Sequence, residues 1–371
     1  MLELLASHSD GSIFTSLLPR LQHRNGSPNA YDTGWPRRKY AQTGIELFGV
    51  SQNQIENDLE VGLYDAREAF LQKPFALQAF ASKVRQILDQ EYNVQGRRDA
   101  VAMELGLSGR TAVITGGSKG IGRAIARGLA KEGVKLVLIA RNAEALEKTA
   151  EDIRKESGVS VVAATADITS TEQVDAAAKT AKDAFGTVHI VVNNAGGPMR
   201  RMDRQIFWPD ADWIGDLDNK ILGALRITRA FLPLMPSDGT GRIINISGTA
   251  STIVWAPALT HALNNAAMNQ ATGYLSTDLA SQKITVNTVV PGLVGTEGRA
   301  VWAENMARQQ NVSQDEFVAS FCKRMGILAG RWAEMDEVAD TVVFLASDRA
   351  RYYNGAKIIL DGGLNVNVRP A

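Results

Sequence analysis

The first chemistry legible in this sequence is phosphate binding. Gly116, Gly120 and Gly122 lie in "TGGSKGIGRAIA" (115–126), directly after the apolar, β-branched run "TAVIT" (111–115). A chain leaving a strand for a helix at this spacing needs glycine dihedrals in the turn and brings its backbone close to a pyrophosphate. The helix after the turn offers N–H groups and the positive end of its dipole. Ser118, Lys119 and Ile121 complete the turn. The next apolar run ends "LIARN", with Arg141 where a dinucleotide site selecting NAD usually carries a carboxylate for the ribose 2′-hydroxyl. Two cations, Arg141 and Lys119, with no carboxylate suit a 2′-phosphate, so the expected cofactor is NADP(H) rather than NAD(H). The same two charges would also serve as an ordinary solvated face.

The elements that must position this turn run from residue 109 onward. Apolar runs fall at 111–115, 135–140, 159–166, 189–193, 242–247, 284–290 and 356–360, separated by helical stretches such as "IGRAIARGLAKEG" and "DEVADTVVFLAS". Runs that are apolar throughout, rather than alternating, suit strands covered on both faces. Repeated strand–helix units of this kind predict an α/β fold, a doubly wound parallel sheet of about seven strands.

Residues 1–105 differ in character and are expected to form a separate extension, with 106–371 as the main domain. The extension starts with the polar, turn-rich "RNGSPNAYDTGWPRRKYAQTG" and continues into two expected helices, around 54–72 and 74–92. In the second, Phe75, Leu77, Phe80, Val84, Ile87 and Leu88 form one apolar face. Two helices bury little alone, so docking on the main domain or on a neighbouring subunit is expected.

Charge and composition exclude several classes. Forty basic and forty acidic side chains cancel, which gives no reason to expect nucleic acid or an anionic membrane as partner. No apolar run approaches the ~20 residues that span a bilayer. The start "MLELLASHSD" has no basic n-region, so no secretory signal is expected. The one cysteine, Cys322, allows no internal disulfide and no cysteine-based metal cluster, and a reducing cytoplasm is the expected location, with no metal site.

Further motifs extend the pattern: "ADIT" with Asp167, "NNAGG" (193–197), "LDNKILGALRITRAFLPLM" (217–235), "GRIINIS" (241–247), "VNTVVPGLVGT" (286–296) and "NGAKIILDGG" (354–363). Together with the glycine turn they resemble the short-chain dehydrogenase/reductase family, especially its 3-oxoacyl-carrier-protein-reductase-like branch, over about residues 107–365. The resemblance implies a Rossmann-like fold, a small-molecule carbonyl or hydroxyl substrate, and assembly as a homo-dimer or homo-tetramer. It also implies that Asp167 contacts the adenine ring and that the turn with Asn194, Ala195 and Gly196 lines the cofactor ribose. Pro291, Gly292, Val294 and Thr296 would hold the nicotinamide carboxamide.

The family's catalytic asparagine, serine, tyrosine and lysine are not all matched. Asn219 matches the asparagine. Gly248 falls on the serine, and in "THALNNAAM" (260–268) His261 and Asn265 stand where tyrosine and lysine belong. Histidine is a common general acid–base. Asn265 can still bond a ribose hydroxyl but supplies no charge. Ser247 would point to the other side of its strand, which leaves Thr249 as the better replacement hydroxyl. Arg200, Arg201 and Arg204 could meet an anionic substrate, or form a solvated cluster. In the segment 298–332, Trp302, Met306, Phe317, Phe321 and Met325 suggest an apolar pocket wall, or ordinary helix packing. Three readings are open at this point: an NADP(H)-dependent oxidoreductase with an atypical proton donor, a redox-neutral lyase, isomerase or hydratase, and a non-catalytic NADP(H)-binding subunit.

Overall fold

The computed structural model describes residues 104–196, 204–255 and 258–366. The two helices expected before residue 93, and Arg200 and Arg201, lie outside the described residues.

All seven expected strands form: β1 (Thr111–Thr115), β2 (Lys135–Ala140), β3 (Val161–Thr165), β4 (Ile190–Asn193), β5 (Arg242–Ile246), β6 (Thr285–Pro291) and β7 (Lys357–Leu360). They build one sheet in the order β3-β2-β1-β4-β5-β6-β7, and every pairing is parallel. The chain therefore winds outward in one direction from β1 to β3 and in the other from β4 to β7. Such a reversal leaves a crevice beyond the carboxyl ends of β1 and β4, where ligands bind in folds of this kind.

Helices cover both faces: α1 (Gly120–Lys131), α2 (Ala143–Ser157), α3 (Thr171–Phe185), α4 (Asp210–Leu217), α5 (Gly223–Phe231), α6 (Leu259–Asp278), α7 (Glu297–Gln310), α8 (Gln314–Met325) and α9 (Met335–Ala346). The strands show why both faces need cover. Ala112 and Ile114 pack with α1 and α9 in one core layer, whereas Val113 packs with α3 and α5 in the other. Alternate side chains of a strand point to opposite faces, so β1 must be apolar at every position. Each fully buried leucine or isoleucine here, such as Ile114 or Leu138, contributes about 1.5–3 kcal/mol of burial.

A third apolar cluster belongs to α7 and α8. Ala303, Ala307, Phe317, Phe321, Cys322, Ile327 and Trp332 are buried together, with Trp302 against them. Trp302 meets Phe317 and Phe321 edge-on, with ring centroids 5.4 and 5.5 Å apart. Most of the aromatic residues expected to wall a pocket thus pack on one another and make this segment a small core of its own.

Between α4 and α5 the helix is loosened: Asp218–Leu222 is a π-helical turn. Such a turn holds one residue more than an α-helical one and rotates the side chains of α4 relative to those of α5.

Candidate active site

The glycine turn is built as its spacing predicts. Gly116 and Gly120 adopt φ of 69° and 57°, a region that disfavours any side chain. Gly122 is required for space rather than for φ: a Cβ there would lie 2.2 Å from Gly116 O and 2.5 Å from Asn194 Nδ2. Lys119 gives α1 no side-chain cap, so the first N–H groups of the helix are left for another acceptor. Thr296, at the start of α7, likewise caps nothing. The two open helix starts face each other, since a Cβ on Gly120 would lie 3.9 Å from Thr296 Cγ2 and 3.8 Å from Glu297 Oε2. Glu297 is held by Arg123 of α1.

Arg141 follows β2 with its side chain largely exposed, and among the described residues its one ionic neighbour is Asp167 at 3.8 Å. Burial pushes the Asp167 carboxyl up, but hydrogen bonds from the Thr169 N–H and hydroxyl, with Arg141 nearby, outweigh it and hold it below its ordinary value. Lys119 is exposed at the turn. Both cations are thus exposed.

The Asn194–Gly196 turn is braced rather than free. The Thr115 hydroxyl accepts the N–H groups of Asn194 and Ala195, each at 3.0 Å. The Asn194 side chain donates to Thr115 O at 2.9 Å, so it supports the glycine turn. Asn193 is buried and donates to Thr228 Oγ1 and Asn245 Oδ1, which ties β4 to α5 and β5. Further along, Gly292 donates to Leu360 O at 2.8 Å, and Val294 turns its side chain into the core. What Pro291–Thr296 can offer a ligand is therefore mainly backbone.

The side-chain site lies at the carboxyl ends of β4 and β5. Gly248 faces both replaced residues: a Cβ there would lie 3.2 Å from Asn265 Nδ2 and 3.7 Å from His261 Nε2. Its φ of 180° is extended backbone open to any residue, so glycine here makes room rather than relieving strain. Asn265 is fully buried, and neither its amide nitrogen nor its oxygen has a hydrogen-bond partner. A buried amide without partners costs about 1–3 kcal/mol per group, and a hydroxyl-bearing ligand such as a ribose would satisfy it. Together with the open helix starts, this orphaned amide fits a bound dinucleotide. Ser247 donates to Asn269 Oδ1 at 2.7 Å and is engaged elsewhere. Thr249 is buried in a short 3-10 turn, Thr249–Ser251.

The structure corrects one expectation. The group delivered to the site by the helix after β4 is Lys220, not Asn219. Lys220 Nζ donates to Ile246 O at 2.7 Å and would lie 3.3 Å from a Cβ on Gly196. Neighbouring residues of a helix point about 100° apart, so only one of the two faces β5. Among the described residues Asn219 makes no hydrogen bond. A signal for Lys220 was present: it precedes the buried Ala224, Ile227 and Phe231 by four, seven and eleven residues and so continues their helical stripe.

Electrostatics follow from burial. Desolvation pulls the Lys220 ammonium down to about 8. Burial, then the like charges of Lys220 and Arg299, push the His261 imidazole down to about 4, with Asp216 opposing. At neutral pH the site therefore holds a neutral histidine beside a lysine that readily gives up its proton. Arg204 reaches over the Phe207 ring, 4.8 Å from its centroid.

A doubly wound parallel sheet whose first strand runs through a glycine turn into an open helix start is the architecture of a dinucleotide-binding protein. Within that class the chain belongs to the short-chain dehydrogenase/reductase family; the family model described as Enoyl-(Acyl carrier protein) reductase matches residues 116–365. Oxidoreductase UcpA of Escherichia coli (strain K12) is 36% identical over 258 residues, which are 69% of this chain and 95% of that protein. L-Sorbose reductase from Gluconobacter frateurii, solved with NADPH and L-sorbose, is 31% identical with a TM-score of 0.67, over 72% of this chain and all of that one. A short-chain oxidoreductase from Pseudomonas aeruginosa PAO1, solved with NADPH and containing an atypical catalytic center, is 26% identical with a TM-score of 0.63, over 71% of this chain and 98% of that one.

Proposed function

We propose that this protein is an NADP(H)-dependent reductase of a small carbonyl compound in which Lys220 and His261 together replace the usual proton donor. The observation that carries this reading is the place of Lys220, with Nζ 2.7 Å from Ile246 O and turned toward Gly196. NADP(H) is supported by the exposed pair Arg141 and Lys119 and by relatives solved with NADPH. When bound, the dinucleotide supplies a hydride to the carbonyl carbon. Lys220 supplies the proton for the carbonyl oxygen by way of the His261 imidazole, one ring nitrogen accepting from the ammonium as the other donates, so that the ring stays neutral. Lys220 is then recharged from water. Asn265 orients the ribose, and Gly248 leaves space for the substrate beside the imidazole. An imidazole held near 4 is a poor store of protons at neutral pH, whereas an amine near 8 is a good one.

The test is cofactor fluorescence with NADPH and NADH, followed by NADPH oxidation across a panel of ketones and aldehydes. Reduction needs the ammonium, so the rate should hold below about pH 8 and fall as pH rises through it, and Lys220→Met should lack that limb. Binding of NADPH without oxidation by any member of the panel would point to the redox-neutral or non-catalytic alternatives instead. The exposed Leu259, Leu263 and Tyr274 on α6 support assembly as a homo-dimer or homo-tetramer, which sedimentation would check. The single cysteine supports a reducing, cytoplasmic location.

A further inference from the structure

The site holds more positive charge than proton transfer uses. Arg299, in the first turn of α7, is half-buried and lies over the Trp332 ring, 5.6 Å from its centroid. It is near enough to His261 to act on its titration. Its own environment is desolvating and lowers its proton affinity. Among the described residues no carboxylate pairs with it. Glu297, two positions earlier, is held by Arg123. Glu337 is engaged with Arg331 at 2.7 Å, and Asp361 accepts the N–H groups of Gly363 and Asn365. Among the described residues Asp216 is the one carboxylate whose charge favours protonated His261, against two cations that oppose it.

Trp332 adds a second observation. It is nine-tenths buried, and its indole nitrogen has no acceptor. Arginine and tryptophan together therefore present donors with no protein acceptor. A guanidinium withdrawn from water without a counter-charge is costly, and its planar fork matches the two oxygens of a carboxylate or phosphate. Stacking on the indole fixes the plane of that fork. The pair is anchored by the aromatic cluster of α7 and α8, so it is a positioned feature rather than a drifting surface charge.

We infer that Arg299, with Trp332, receives an oxyanion on the substrate, so that the preferred substrates are carbonyl compounds carrying a carboxylate or a phosphate. This rests on the reductase reading for the word substrate, but anion binding is separable from turnover. In that reading the oxyanion is held at the start of α7 while the carbonyl oxygen faces His261.

The experiment is calorimetric binding to the full-length protein saturated with NADP+. Four probes are paired: phenylpyruvate with its methyl ester, and dihydroxyacetone phosphate with dihydroxyacetone. At least one anion should bind about tenfold or more tighter than its neutral partner, and the pair showing the difference assigns carboxylate or phosphate. Arg299→Met should abolish the preference while leaving NADPH affinity within about twofold, and Arg299→Lys should retain part of it and exclude misfolding as the cause. Equal binding of anion and neutral partner in both pairs would overturn the inference. So would a preference that survives Arg299→Met, or a large loss of NADPH affinity in that variant, which would make Arg299 a cofactor anchor. Anion preference without any NADPH oxidation would leave this inference standing and count against the reductase reading alone.

Discussion

In the β1–β3 half of the sheet the groups presented at the crevice are mostly backbone amides, whereas in the β4–β6 half they are side chains. The first half shows how the backbone is freed for this. Nearby polar side chains turn inward: the Thr149 hydroxyl donates to Ser118 O at 2.9 Å, and Asn194 braces the end of β1. Helices α2 and α3 are capped by Asn142 and Ser170 and closed by Gly158 and Gly186. Only α1, which follows the glycine turn, lacks a side-chain cap in that half. In the second half α4, α5 and α6 all lack one, and the chain passes through a π turn. Recognition by backbone needs only the turn and its glycines, so many sequences can carry it. Recognition by side chains can be rewritten one residue at a time, and at Lys220, Gly248, His261 and Asn265 this chain uses that freedom.

The sharpest way to separate the halves is to remove the lysine. Lys220→Met should lower kcat on the order of 10²–10⁴-fold while NADPH affinity stays within about threefold. The same change should stabilise the fold. The lysine's folded value, about 8, lies below its unfolded one, so the charged side chain opposes folding below about pH 8 and the penalty fades as pH rises toward the unfolded value. At neutral pH the variant should gain on the order of 1–3 kcal/mol, and at about pH 11 almost nothing; urea unfolding at both pH values reads this directly. A gain that persists at the higher pH would assign the stabilisation to packing instead.

Gly122→Ala attacks the other half. A Cβ there collides with Gly116 O and Asn194, and the turn must move by about 1 Å at a cost of about 1–3 kcal/mol. NADPH binding, followed by fluorescence, should weaken on the order of 100-fold. Arg141→Ala is milder and more selective. Losing one charge-assisted contact to the 2′-phosphate should weaken NADPH about 10- to 100-fold and leave NADH unchanged. Equal loss for both cofactors would remove Arg141 from the selecting role. Gly248→Ser is the smallest change. Its backbone is compatible with serine, and its Cβ meets the Asn265 amide at 3.2 Å and His261 Nε2 at 3.7 Å, so the melting free energy should shift by less than about 1 kcal/mol.

The sheet was legible because each strand is apolar on both faces, and the glycine turn because its residues act through dihedrals that a sequence states openly. The meeting of Gly248, His261 and Asn265 was legible through the resemblance, which puts all three on the family's catalytic positions. Lys220 was missed although it continues the buried stripe of Ala224, Ile227 and Phe231, because the neighbouring Asn219 was matched to the family's asparagine instead. Arg299 was missed for a different reason. Its role depends on how close the start of α7 comes to His261 of α6, a tertiary approach that the residues of its own segment do not record. Asn194 was expected in the turn that lines the ribose, and its side chain braces that turn by donating to Thr115 O, a partner the sequence does not reveal.

The π turn at Asp218–Leu222 also bears on how such a site can change over generations. Because the turn accommodates one surplus residue, loss of a single codon there can be absorbed as an ordinary α-helical turn, with both flanking helices left in place. Removing residue 220 alone would bring Asn219 to the position next to Ile221, the place the lysine now holds. An ammonium and an amide would thus be exchanged in the site by the smallest in-frame deletion a gene can undergo. The shortened chain should fold, and its pH–rate profile should lose the limb near 8.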